Sequence, residues 1–182
     1  MFTEAEEGQR VCQVAQGDRQ AFAELAAYYL PKLEQYGTRL SGRPALGEDL
    51  AQETLLQLWL EAGRFDPARG RLSTWLYRIA RNRFLDQQRQ GWRWLGLESL
   101  EGRDGVSDPE LEQLSDAREV QQALQRLPER QRSALLLSYY EGLSHKEVAQ
   151  VLGLGLRAAE SLIVRARRAL GKTLEEEHAR TP

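Results

Sequence analysis

The sequence predicts an all-α protein of two small helical domains joined by a flexible linker. Leu, Ala, Glu, Gln and Arg dominate its 182 residues, while Val, Ile and Thr are sparse, a balance that favours helices. No run of alternating β-branched residues indicates a strand. Residues 91–108, GWRWLGLESLEGRDGVSD, are rich in Gly, Ser and acids and are typical of a linker. We therefore expect domains at 1–92 and 109–182, with the linker at 93–108.

Apolar residues recur at helical spacing in four segments of the first domain. Pro31 has no backbone N–H to donate, so we expect a kink or a break in the second of these helices. The predicted helices are Glu6–Gln16, Arg19–Leu40, Gly47–Ala62 and Leu72–Gln90.

The second domain also contains four segments with helical spacing. Ser144 and Glu147 have the spacing of a capping box, which starts a helix, and Gly153 and Gly155 allow a tight turn before the next helix. This last pair has the proportions of a helix-turn-helix. The predicted helices are Pro109–Arg126, Glu129–Glu141, Ser144–Leu152 and Leu156–Glu177.

Composition excludes several classes of protein. With one cysteine, Cys12, and two histidines, the chain has no intrachain disulfide, and a Cys/His zinc site is not expected. We expect Cys12 to be a small buried apolar residue. No Gly-rich phosphate loop or catalytic constellation is evident, so we expect no enzyme activity, no metal and no cofactor. No apolar run approaches the ~20 residues that span a bilayer, and the acidic N-terminus is unlike a signal peptide. We expect a cytoplasmic protein without membrane insertion.

The formal net charge of −2 conceals two basic helices. Residues 64–93 contain eight arginines, and a helical wheel places several of them on one face of the fourth helix, beside an apolar face. The eighth helix has a similar basic stripe opposite an apolar one. Such stripes either contact phosphates and bases or form a solvated surface. The two faces comprise Arg71, Arg78, Arg81, Asn82 and Arg89 on the fourth helix, and Arg157, Ser161, Arg165, Arg168 and Lys172 on the eighth.

The third helix has a second face that is acidic yet apolar. Exposed leucines beside carboxylates favour a protein partner with basic residues. The alternative is that Leu56 and Leu60 pack against the second helix. The face consists of Asp49, Gln52, Glu53, Leu56 and Leu60.

Four motifs follow one another along the chain: EDLAQETLLQLW, STWLYRIARNRFLDQQR, LPERQRSALLLSYYEGLSHKEVAQVLGL and VRARRAL. In this order they resemble a bacterial sigma-70 family factor of the extracytoplasmic function (ECF) group, and the similarity extends from about Gly17 to Leu174. The resemblance implies a region-2-like helical bundle and a region-4-like helix-turn-helix domain. It also implies a protein that binds core RNA polymerase and recognises the −10 and −35 elements of promoter DNA, and that commonly has an anti-sigma factor as a partner.

The resemblance assigns roles to the surfaces described above. Asp49, Gln52, Glu53 and Leu56 match the motif that docks on polymerase. The segment Arg64–Arg71, with Phe65, matches a loop that captures a flipped −10 base. Asn82 and its flanking arginines match the helix that reads the −10 element. The linker would pass through the polymerase near the RNA path, and Trp92 and Trp94 either stack on bases or anchor the linker on one domain.

One run departs from the family pattern. Residues 158–161 are Ala-Ala-Glu-Ser, where family members often have Thr-Val-Lys-Ser. Glu160 either accepts a hydrogen bond from a cytosine amino group or repels phosphate, and a salt bridge to Arg157 or Arg167 is a further possibility.

Two other binding functions compete with the sigma-factor interpretation. A sigma-like mimic would sequester an anti-sigma factor without binding DNA, and it would have no need of Asn82 or the arginine face. A helix-turn-helix repressor would leave the first 90 residues without a role.

Overall fold

The computed structural model describes residues 2–95 and 115–178, with side chains described for 2–89 and 118–176. These residues form helices connected by turns, with no strand among them, which confirms the all-α prediction. The predicted linker and the start of the predicted fifth helix lie largely outside the described residues, as do the side chains of Trp92 and Trp94. The helices are α1 (Glu4–Ala15), α2 (Arg19–Ser41), α3 (Pro44–Glu61), α4 (Leu72–Leu95), α5 (Ser115–Gln125), α6 (Glu129–Leu135), α7 (His145–Leu152) and α8 (Leu156–His178).

Helix α2 runs without a break through Pro31, so the predicted break is wrong. Proline removes one N–H and leaves the carbonyl four residues earlier without its helical partner. Both Pro31 and Ala27 are exposed, so water can satisfy that carbonyl.

Helices α2 and α3 approach each other closely at two glycines. A Cβ on Gly47 would lie 2.2 Å from the Thr38 Oγ1 and 2.7 Å from the Glu34 carbonyl oxygen, and Gly37 faces the Gly47 backbone from the other side. Because neither Gly37 nor Gly47 has a side chain, the two helices can approach each other this closely. Around this crossing the core is built from fully buried side chains, including Leu25, Leu33, Tyr36, Leu40, Leu50, Leu58 and Phe84.

The second domain follows the predicted pattern except in α6. Instead of continuing to Glu141, α6 ends at Leu135 and passes into a π-helical turn over Leu136–Tyr140. Apolar spacing does not distinguish a π turn from an α turn, because the two differ by one residue per hydrogen bond. The capping box at Ser144 and Glu147 is confirmed, and Gly153 ends α7 with φ +64°.

Polar contacts cross the boundary between the two domains, whose buried apolar residues also form one continuous core. Arg132, on α6, donates to the carbonyl oxygen of Leu40 at 2.8 Å, and Gln125 donates to that of Arg39, also at 2.8 Å. The last carbonyls of a helix have no partner within it, so these side chains complete the C-terminal end of α2. Arg39 also lies over the ring of Tyr140, 4.4 Å from its centroid.

Candidate nucleic-acid and partner interfaces

The outward face of α4 presents three of the predicted DNA-binding residues to solvent. Arg78, Asn82 and Arg89 are exposed, and Arg89 has a loose contact to Asp86 at 4.0 Å. Leu72 and Leu76, on the inward side, are fully buried. The helix is thus anchored by its apolar side and holds cations and an amide outward.

Arg81 differs from the other arginines of this helix. Its side chain is 7% exposed and pairs with Glu129 of α6, with Nε to Oε1 at 2.9 Å and Nη2 to Oε2 at 2.8 Å. The expectation of one continuous exposed face is therefore wrong at this residue, because the second domain packs over it. Arg71, at the start of α4, is half exposed and lies near Glu4 at 3.1 Å and Glu147 at 3.6 Å.

A turn between α3 and α4 places Phe65 beside Trp75. The two rings have centroids 5.8 Å apart and planes inclined by 49°, and both side chains are half-buried. The Asp66 carboxylate accepts from the Ala68 amide at 2.9 Å, which holds the turn. This turn offers an aromatic surface next to the cationic face of α4.

The acidic apolar face of α3 is exposed. Leu56 and Leu60 are 57% and 66% exposed, so the alternative that they pack against α2 is wrong. Asp49 and Gln52 are also exposed, while Glu53 is half-buried and accepts from Gln87 of α4 at 3.4 Å. Leucines this exposed beside carboxylates favour a protein partner.

Helix α8 follows the helix-turn-helix expectation closely. Its inward residues Ala159, Ile163 and Ala166 are buried, and its outward face is cationic. Glu160 lies on that face, with its Oε1 3.9 Å from the His145 Nδ1, while Arg167 lies 3.4 Å from the Tyr139 hydroxyl. The described contact of Glu160 is therefore with His145, rather than with Arg157 or Arg167. The predicted contact residues Arg157, Ser161, Arg165, Arg168 and Lys172 are all exposed.

Cys12 is exposed, which corrects the expectation that it is buried. Val11 and Val14 point inward, and a residue one position after Val11 is rotated by about 100° away from that face.

Three carboxylates described in the second domain contact the first domain, and none of them was predicted as a functional residue. Glu129 pairs with Arg81, Glu141 accepts from the Tyr77 hydroxyl, and Glu147 lies near Arg71. Glu147 was expected only as part of the capping box. The partners lie between 48 and 76 residues apart in the chain, and no local pattern marks such pairs.

The pKa values of two of these carboxylates are shifted in opposite directions. Burial raises the pKa of Glu141 above its ordinary value, although the Tyr77 hydroxyl and the charges of Arg39 and Lys32 oppose the shift. Burial acts in the same direction on Glu147, but hydrogen bonds from the Ser144 hydroxyl and amide and the charge of Arg71 outweigh it, so the pKa of Glu147 is lowered.

Neither a metal centre nor a membrane span is found in the described part of the chain. No three His, Cys, Asp or Glu side chains there come together as a metal site, and none of its helices has the length and apolar character to cross a bilayer.

Two family models match this sequence. Sigma-70 region 2 matches residues 25–93, and Sigma-70, region 4 matches residues 117–170. The chain is 32% identical over 180 residues to the ECF RNA polymerase sigma factor SigW of Bacillus subtilis. This match covers 92% of this chain and 96% of SigW. It is 33% identical over 153 residues to the ECF RNA polymerase sigma factor RpoE of Cereibacter sphaeroides, covering 80% and 82%.

Solved structures show the same fold. The sigma factor RpoE in complex with the anti-sigma factor NepR, from Bartonella quintana, superposes with a TM-score of 0.70 at 26% identity, covering 85% of this chain and 96% of that one. CnrH in complex with the cytosolic domain of CnrY superposes with a TM-score of 0.73 at 26% identity, covering 94% and 98%.

Proposed function

The chain belongs to the ECF group of the sigma-70 family, promoter-recognising factors for RNA polymerase, and we propose how its surfaces divide that work. The acidic apolar face of α3 binds core polymerase, α4 with the Phe65 turn binds the −10 strand, and α8 binds the −35 duplex. The observation that carries this assignment is that one chain contains both matched regions, each with an exposed cationic helix anchored by a buried apolar side.

Helix α3 supplies the polymerase contact through two kinds of group. Leu56 and Leu60 offer apolar area to a partner, and Asp49 and Glu53 offer charge that selects a basic partner surface. Because the opposite side of α3 is held in the core by Leu50 and Leu58, this face is presented on a rigid support.

Single-stranded −10 DNA contacts α4 and the turn before it. A strand needs cations for its phosphates and an aromatic surface for an extruded base. Arg78 and Arg89 supply exposed cations, Asn82 supplies an amide that can bond to a base edge, and Phe65 supplies the ring. Arg71, which is half exposed, adds a further cation to this face, whereas Arg81 is paired with Glu129 and covered by the second domain.

Helix α8 enters the major groove of the −35 element. In a helix-turn-helix the first turn of the second helix meets the base edges, and later residues meet the backbone. Arg157 and Ser161 are therefore the base-reading residues, and Arg165, Arg168 and Lys172 bind phosphates.

An anti-sigma factor holds the protein inactive until it is required. The related RpoE was solved in complex with the anti-sigma factor NepR. The expected finding is a protein that co-purifies with this chain and abolishes transcription when it is added back. Activity in unstressed cells, with polymerase as the only bound protein, would contradict this regulation.

In vitro transcription tests the function directly. Core polymerase, with and without the chain, is supplied with a genomic DNA library, and transcript starts are mapped. We expect a restricted set of starts that share −10 and −35 sequences and depend on the chain. A chain that binds an anti-sigma factor yet adds no transcript start would instead be the sigma-like mimic.

A further inference from the structure

Three side-chain contacts near helix α4 join the two domains with the same polarity. Arg71, just before α4, and Tyr77 and Arg81, on α4, each face a carboxylate of the second domain. Those carboxylates belong to Glu147, Glu141 and Glu129 respectively. The first domain thus supplies the cations and the hydroxyl, and the second domain supplies the anionic partners.

The Arg81–Glu129 contact is the most complete of the three. Two parallel N–H groups of one guanidinium meet the two oxygens of one carboxylate, and Ser133 donates to the same carboxylate at 2.7 Å. A guanidinium makes the same two-point contact with a phosphate. Glu129 therefore occupies the position at which a phosphate would pair with Arg81.

We propose that this domain packing is an autoinhibitory contact, in which Glu129 takes the place of a promoter phosphate on Arg81. The cationic face of α4 becomes complete for the −10 strand only when the second domain moves away. The proposal rests on the proposed function, since it assigns the −10 strand to α4.

The polar contacts at the boundary favour opening. Arg132 and Gln125 donate to carbonyls at the end of α2, and water can replace these partners once the domains separate. Polar boundaries of this kind between domains permit relative motion. Binding of the α3 face and of α8 to separate sites on polymerase and DNA would favour the open arrangement, because a ligand shifts the population toward the state that it binds better.

The test measures domain opening and strand binding on the same full-length chain. Cys12 is exposed and is the only cysteine, so one dye is placed there and a second on an introduced cysteine, Glu176→Cys, at the far end of α8. Energy transfer between the dyes reports separation. Binding of a single-stranded oligonucleotide with the mapped −10 sequence is measured by fluorescence anisotropy without polymerase.

Glu129→Gln removes the charge and keeps the shape of the side chain. We expect lower energy transfer and a dissociation constant for the strand about tenfold smaller, the gain that follows when a closed population of about 90% is opened. Glu175→Gln, an exposed carboxylate away from the boundary, is the control and should change neither quantity.

A charge exchange, Arg81→Glu with Glu129→Arg, separates closure from DNA binding. This variant should recover the energy transfer of the wild type yet bind the strand more weakly than the wild type does. If Glu129→Gln leaves both measurements unchanged, or opens the domains without tighter strand binding, the proposal is wrong. Failure of the proposed sigma-factor function would be distinguishable from failure of the autoinhibitory contact, because the wild type itself would then support no transcription with core polymerase.

Discussion

Arg81 and Glu129 form a two-point ion pair across the domain boundary, with both N···O distances below 3.0 Å. The pair connects the proposed −10 helix to the first turn of α6, 48 residues later in the chain. A guanidinium taken from water into such a boundary needs a complete partner, and the carboxylate supplies one. The same side chain is therefore part of both the domain contact and the cationic face of α4.

The α2–α3 crossing depends on Gly47. Its replacement by alanine would place a Cβ 2.7 Å from two backbone atoms, the Glu34 carbonyl oxygen and the Thr38 nitrogen, so the helices must separate. We expect Gly47→Ala to lower the free energy of unfolding by about 2–4 kcal/mol in urea denaturation. Gly171→Ala is the matched control, because a Cβ there meets nothing within 4 Å, and it should raise stability by up to about 1 kcal/mol. Equal effects of the two changes would contradict the close crossing.

The polymerase contact is tested by Glu53→Lys combined with Leu56→Asp. The first change reverses a charge at the proposed interface, and the second places a carboxylate where apolar contact is needed. We expect loss of core polymerase binding in a pull-down assay, with the helical circular dichroism spectrum unchanged because Leu56 is exposed. Glu175→Lys, a charge reversal at the end of α8, should bind normally. Wild-type affinity in the double variant would remove the α3 face from the interface.

Base reading by α4 is tested at Asn82. We expect Asn82→Ala to cost about 1–3 kcal/mol at one base position of the −10 element, the scale of a good base contact. Arg78→Ala or Arg89→Ala should weaken binding to all sequences alike, since phosphates carry no sequence information. Transcription from a set of promoters with single −10 changes measures both. If the Asn82 variant keeps the wild-type preference among them, its assigned role fails.

Glu141 makes the stability of the domain contact depend on pH. Its pKa is raised by burial in the folded chain, so the folded state binds this proton more tightly than the unfolded state, whose value is near 4.5. This contribution to stability is present at low pH and is lost as the pH rises above 4.5 through the folded pKa. Glu141→Gln should therefore gain stability relative to wild type at about pH 8 and little at about pH 4.

Urea denaturation of the wild type and of the Glu141→Gln variant at both pH values measures that difference. Glutamine keeps an oxygen that accepts from the Tyr77 hydroxyl, so the hydrogen bond itself is retained. A stability difference that is the same at both pH values would show that the charge of Glu141 does not matter.

Local signals predicted most of the helices, and long-range contacts account for what the sequence did not reveal. The capping box at Ser144 places the start of α7 because both of its partners lie within one turn. A helical wheel shows on which side of α4 Arg81 lies, but it does not show which element packs against that side. The sequence left open whether Leu56 is exposed or packs on α2, because α3 has more apolar residues than one buried face can use.

The proposed −35 helix carries one anionic side chain, Glu160, whose role is open to test. It lies 3.9 Å from His145, and both side chains are about half exposed, so this contact compensates the charge of Glu160 only weakly. We therefore expect Glu160 to repel phosphate. Glu160→Lys should strengthen binding to all duplexes and steepen the dependence of log K on log salt by about 0.9, one phosphate's worth.

The alternative role makes the opposite prediction at the same residue. If Glu160 accepts from a cytosine amino group, Glu160→Ala should relax preference at one base pair of the −35 element with little gain in affinity. Binding of the Ala and Lys variants to a library of −35 duplexes, at two salt concentrations, separates the roles, because repulsion acts on every sequence and base reading on one position. His145→Ala serves as the control for the neighbouring ring, since loss of this long, exposed contact should leave the salt dependence as it is. A change in preference confined to one base pair would overturn the repulsive role and make Glu160 a base-reading residue.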